Sequence, residues 1–178
     1  MKKQISENKK RIPAKNYIIL AIVVFLTICV VFYAKNWYIT AKEYAADNSP
    51  LFGTISEINK NEISNYSLEN PKFVLYVSAI DSNSIKRFEQ KFRNYLINNN
   101  LTASTLYINA LNYDEKELSD TLNTYLDSKV KTRISIKDNV SMYIFDDGKI
   151  VAVIKDANKL TTKKINQIFK KYGMIDND

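Results

Sequence analysis

Four oxygen-bearing side chains in a row, Asp81, Ser82, Asn83 and Ser84, break an apolar run in KFVLYVSAIDSNSIKRFEQKF, residues 72–92, which then restarts with helical spacing. Such a set could ligate a hard cation, or, with a base to take its proton, turn a serine into a nucleophile. Calcium loops add a glycine at their sharp turn and a late bidentate glutamate. Both are missing here, so a turn followed by a helix N-cap accounts for the same residues. There is no histidine anywhere in the chain, which removes the common zinc sites, the Ser-His and Cys-His nucleophiles and the commonest general base together. The three glycines, Gly53, Gly148 and Gly173, are too dispersed to cradle a phosphate. Other carboxylate pairs have structural explanations. Asp146 and Asp147 precede Gly148 as turn formers, and Glu115 and Glu117 suit the positive end of a helix dipole.

The elements that would position this loop are legible from periodicity. Residues 73–79 are short, β-branched or aromatic and apolar on both faces, which predicts a strand covered on both sides. Ile85, Phe88, Phe92, Tyr95 and Leu96 fall at intervals of three and four, which predicts a helix from Asn83 to the asparagines 98–100. TLYIN at 105–109 reads as a second strand. Asp114 is the expected N-cap of a further helix, with Glu117 closing a capping box, Leu118, Leu122, Tyr125 and Leu126 along it and Lys129 at its end. Residues 131–139 suit a loop or edge strand. Asp147-Gly148 between 141–145 and 150–154 predicts a tight hairpin, and Thr161 or Thr162 starts a last helix ended by Gly173. Upstream, residues 54–70 carry enough apolar positions for a short strand and a short helix.

The net charge of +7 is concentrated at one end: six basic residues against Glu7 precede residue 16, leaving twenty against eighteen in the remainder. A basic tail rather than a basic folded surface argues against nucleic acid. Several of the twelve tyrosines (Tyr95, Tyr107, Tyr125, Tyr143, Tyr172) fall on expected core faces, which leaves fewer of them for base stacking. The tail abuts YIILAIVVFLTICVVFY, residues 17–33, without a charge or helix breaker. With Ala34, Trp37 and Tyr38 it reaches the about 20 residues that a hydrocarbon core requires. A transmembrane helix at 17–38 is expected, with the basic tail 1–16 cytoplasmic, a stalk at 39–50 and an extracytoplasmic domain at 51–175. Signal-peptide cleavage after Ala34 is disfavoured by Phe32, and lipoprotein processing at Cys29 by the bulky Ile28. Cys29 is the only cysteine, so the outer domain has neither a disulfide nor a redox pair.

The order strand, helix, strand, helix, strand, helix, hairpin, helix resembles the thioredoxin superfamily over residues 51–175. Residues 73–88 resemble its strand, active-site loop and helix. SMYIFDDGK at 141–149 resembles its penultimate strand and Phe-x-x-Gly-Lys turn, and 160–172 resembles its closing helix. The resemblance implies an α/β fold, a mixed sheet flanked by helices. It places the two cysteines of the family's C-x-x-C on Asp81 and Ser84 and its cis-proline on Val140, where a cis bond would cost ~3 kcal/mol. Thiol exchange needs a thiolate and a resolving thiol, so thiol-disulfide oxidoreductase activity is not expected.

The expected protein is a bacterial single-pass membrane protein with a redox-inactive thioredoxin-like outer domain, needing no cofactor or metal. It would bind a protein or peptide partner rather than nucleic acid, with Asp81, Ser82, Asn83, Ser84 and Val140 as former redox positions open to that partner. Thioredoxin-like accessories to peptide export or bacteriocin production are an analogy. Two other classes stand beside it: an immunity or inhibitor protein at the membrane, and a cell-envelope enzyme using carboxylates or serines.

Overall fold

The computed structural model describes residues 14–47, 49–78, 82–136 and 140–176, and of residues 41–47 the backbone alone. Asp81, the tail before Ala14 and residues 137–139 lie outside that set. The chain divides into two compact units, residues 1–41 and 42–178.

The first unit is described through α1, Ala14–Asp47, a helix that runs on into the second. Within it Ala14–Thr40, 27 residues containing a stretch of mean hydropathy 2.8, is exposed all round. At ~1.5 Å per residue this segment is about 40 Å long, enough for the ~30 Å hydrocarbon core and both interfaces. The Thr27 hydroxyl donates to Val23 O at 2.9 Å, so it brings no unpaired polar group into an apolar environment. The length and apolar surface fit a membrane anchor. The stalk residues are helical as far as Asp47, where α1 ends.

The second unit is built on five strands, β1 (Ser56–Glu57), β2 (Lys72–Ser78), β3 (Thr105–Asn109), β4 (Ser141–Asp146) and β5 (Lys149–Ile154), in the order β1-β3-β2-β4-β5. β1, β3 and β2 are parallel, and β4 and β5 are antiparallel additions. Four helices flank the sheet: α2 (Ile63–Glu69), α3 (Asn83–Asn98), α4 (Glu115–Thr124) and α5 (Thr162–Lys171). A parallel pair needs a crossover, and helices on both faces follow from that. The alternation along β2 is the signature of this burial. Val74 and Tyr76 join Phe92, Leu96 and Phe169 of α3 and α5 in one core. Phe73, Leu75 and Val77 join Ile63, Leu118 and Leu122 of α2 and α4 in the other.

Local chemistry sets most boundaries. Ser82 accepts from Ile85 N at the start of α3. At its end Asn100 turns left-handed at φ 54°, and Leu101 N returns to Leu96 O at 2.8 Å, so asparagine does there what glycine usually does. Gly173 does the same after α5, which Thr161 caps. The hairpin turn takes positive φ at both central residues, 47° at Asp147 and 73° at Gly148, the twist-matched two-residue geometry.

Two expectations need correction. α4 stops at Thr124, short of Leu126 and Lys129, because Tyr125 and Asp127 exchange backbone hydrogen bonds with Ile150 of β5. Asp114 caps α4 as expected, but Glu117 pairs with Lys60 instead of completing a capping box. That box forms between Asn59 and Glu62. Residues 130–136 form no strand. They are a loop pinned to α4 by Asn123, which bonds both backbone groups of Ile134, and by Ser119, which accepts from Ile136 N.

Candidate functional site

The carboxyl end of β2 is where strand, loop and helix meet. β2 ends at Ser78, residues 79–81 lie outside the described set, and Ser82 opens α3. The β2–β4 register pairs Val77 with Ser141, which puts Val140 beside the same strand end. Topology therefore brings Ser82, Asn83, Ser84 and Val140 to the carboxyl end of β2.

Of these side chains, both serines are already engaged. The Ser82 and Ser84 hydroxyls lie 2.9 Å apart, while Ser82 also accepts from Ile85 N at 3.3 Å. Among the described residues the partners of the Ser82 hydroxyl are another hydroxyl and a helix amide, neither of them a base. Val140 is 0% exposed and belongs to the α3–α5 core. Its carbonyl accepts from Ala157 N at 2.9 Å. The residue as a whole is therefore closed to a partner. Among the described residues no three His, Cys, Asp or Glu side chains gather to hold a metal.

Beneath this end lies a residue the sequence reading passed over. Glu89 is 3% exposed on the inner face of α3. Its Oε1 accepts from the Tyr76 hydroxyl at 2.8 Å and its Oε2 from the Ser49 hydroxyl at 2.7 Å. Ser49 in turn accepts from Leu51 N at 3.2 Å, so the turn after α1 is tied to the core of the domain. Burial raises the Glu89 pKa above its ordinary value, against the lowering pull of hydroxyls from Ser49, Tyr76 and Ser78. Burial, the Glu89 charge and its hydrogen bond raise Tyr76 well above 10. A carboxyl so enclosed is a structural acid: both oxygens are occupied, and an outside substrate has no route to them. A signal did exist. Glu89 sits four residues after Ile85 and three before Phe92, squarely on the apolar stripe of α3, where an unpaired acid would be costly.

No family model matches this chain, and no curated protein matches it in sequence. Among solved structures it is similar to thioredoxin f2 of Chlamydomonas reinhardtii, at 12% identity and a TM-score of 0.46 over 66% of this chain and 95% of that one. It is also similar to the oxidised thioredoxin of Plasmodium falciparum, at 11% identity and 0.46 over 66% and 97%. Likenesses at this level carry no weight on activity, and the strand order and register above stand by themselves. The fold is thioredoxin-like, preceded by one long apolar helix. The chain lacks the C-x-x-C pair, its single cysteine being Cys29 on α1.

Proposed function

We propose that this protein is a redox-inactive thioredoxin-like binding module, anchored by α1 in the cell membrane with its basic N-terminus cytoplasmic and its domain outside. Asp81, Ser82, Asn83 and Ser84 form its partner surface, with Val140 buried at the same strand end. One observation carries the reading: the chain has the strand, helix and hairpin that frame the thioredoxin family's reactive loop, and in the sequence resemblance aspartate and serine fall where that family has its two thiols. Ser82 caps α3, and the Ser84 hydroxyl bonds that of Ser82. A scaffold accessory to peptide export or bacteriocin production fits such a bacterial domain, and an immunity or inhibitor role would use the same surface.

Photo-crosslinking amino acids at Asn83 and Ser84 in native membranes, with mass spectrometry of the adducts, test the reading. A recurrent protein adduct lost in the Asp81→Ala, Ser84→Ala double variant is expected. Absence of any adduct from both positions counts against the module, and turnover of a cell-envelope substrate by the intact protein would replace it with an enzyme.

A further inference from the structure

We propose that the outer edge of β5 is a docking strand for an extended, acidic peptide segment of a partner protein. The inference rests on the reading of the domain as a binding module and adds a surface and a partner chemistry to it. β5 ends the sheet, and no further strand pairs with its outer side among the described residues. Only its first turn is covered, where Ile150 exchanges backbone bonds with Tyr125 and Asp127. Beyond that point a cleft of about 500 Å³ opens, lined by residues 129–132, by 151–154 of β5 and by one face of α5.

The apolar lining of the cleft is half-buried, with Val151, Ile168 and Tyr172 packed on the α3–α5 core and Val153 on the α2–α4 core. Its walls carry exposed lysines, Lys129 and Lys131 on one side and Lys164 and Lys171 on the other, and no acidic residue lines it. Among the described residues none of these four ammonium groups has a carboxylate partner. Lys171 lies over the Tyr172 ring at 5.4 Å.

Proteins commonly protect a free edge with charge or proline on the edge strand itself. Here residues 151–154 read Val-Ala-Val-Ile, and the charges stand on the walls instead. An added strand satisfies every feature of the cleft. Its main chain supplies the missing ladder, alternate apolar side chains meet the apolar lining, and alternate acids meet the lysines. An anionic lipid surface would find the lysines but not the recessed edge, and a polyanion would find no use for the apolar lining. Lys164 and Lys171 are separated by ~10.5 Å along α5 and the uncovered edge by ~13 Å, so a six-residue acidic-apolar alternation reaches both ends.

The test uses the full chain in nanodiscs of zwitterionic lipid and a fluorescent Glu-Val-Glu-Val-Glu-Val amide, read by anisotropy. Saturable binding is expected, weakened ~tenfold or more by Lys164→Glu with Lys171→Glu, and likewise by Lys129→Glu with Lys131→Glu. All four lysines are exposed, and unchanged circular dichroism confirms that the variants fold. Two further peptides carry N-methyl groups on alternate amides, one on the odd and one on the even residues. A strand pairs through one edge, so one of them must lose binding and the other keep it. Equal binding of both overturns edge pairing in favour of charge alone. Lysine-dependent binding to phosphatidylserine vesicles or polyphosphate, without peptide binding, overturns the peptide as partner. Absence of any peptide binding overturns this inference while leaving the crosslinks at Asn83 and Ser84 to decide the module reading.

Discussion

The carboxyl end of β2 and the outer edge of β5 are opposites in how their polar groups are employed. At the first, the Ser82 hydroxyl and both Glu89 oxygens already have partners inside the chain. At the second, a strand edge and four exposed lysines without a carboxylate partner among the described residues face outward. A fold-level analogy would look for function at the first place. The difference teaches that polar groups at a strand end can be taken up by capping and core hydrogen bonds, while unsatisfied capacity accumulates elsewhere on the same sheet.

Glu89→Ala is the most severe way to break this contrast. It leaves the Tyr76 and Ser49 hydroxyls unpaired in the interior and should destabilise the domain by about 2–3 kcal/mol in urea unfolding; a loss no larger than for surface changes would show that the cluster is not structural. Ser82→Ala removes the α3 cap and should cost about 1 kcal/mol, seen as faster amide exchange over the first turn of α3. The pH dependence follows from the raised Glu89 pKa. Between the ordinary value of 4.5 and the raised one, the native state holds a proton that the unfolded state has released. The associated stability is therefore complete below 4.5 and lost as pH rises through the raised value. Glu89→Gln, neutral throughout, should gain stability relative to the parent as pH climbs from 4.5 to neutral, and a constant difference would refute the linkage. Smallest of all, Lys164→Ala and Lys171→Ala should change stability by no more than about 0.5 kcal/mol, because both side chains are exposed and neither ammonium pairs with a carboxylate among the described residues.

Strand and helix positions around the candidate site were legible because their signals are local. Period and capping chemistry put α3 at Asn83, and Asp147-Gly148 made the hairpin certain to turn where it does. The end of α4 was not legible, since Tyr125 and Leu126 have helical spacing and leave the helix only because Ile150, distant in sequence, offers backbone partners. Glu89 was half legible. Its place on the apolar stripe marked an anomaly, but its resolution required Tyr76 from β2 and Ser49 from beyond α1, neither predictable from spacing on one helix.

Composition and order alone determined that this chain has a long apolar segment beside a basic tail, one cysteine, no histidine and the element order of a thioredoxin-like domain. Those properties depend on counts and on interactions within a few residues. Tertiary structure decided which polar groups are satisfied and which are not. Pairing across the sheet buried Val140, closed Glu89 within hydroxyls and left β5 at the end of the strand order, with lysines from a loop and a helix converging on its open side. Convergence of groups distant in sequence is set by the packing of whole elements, and no local period encodes it.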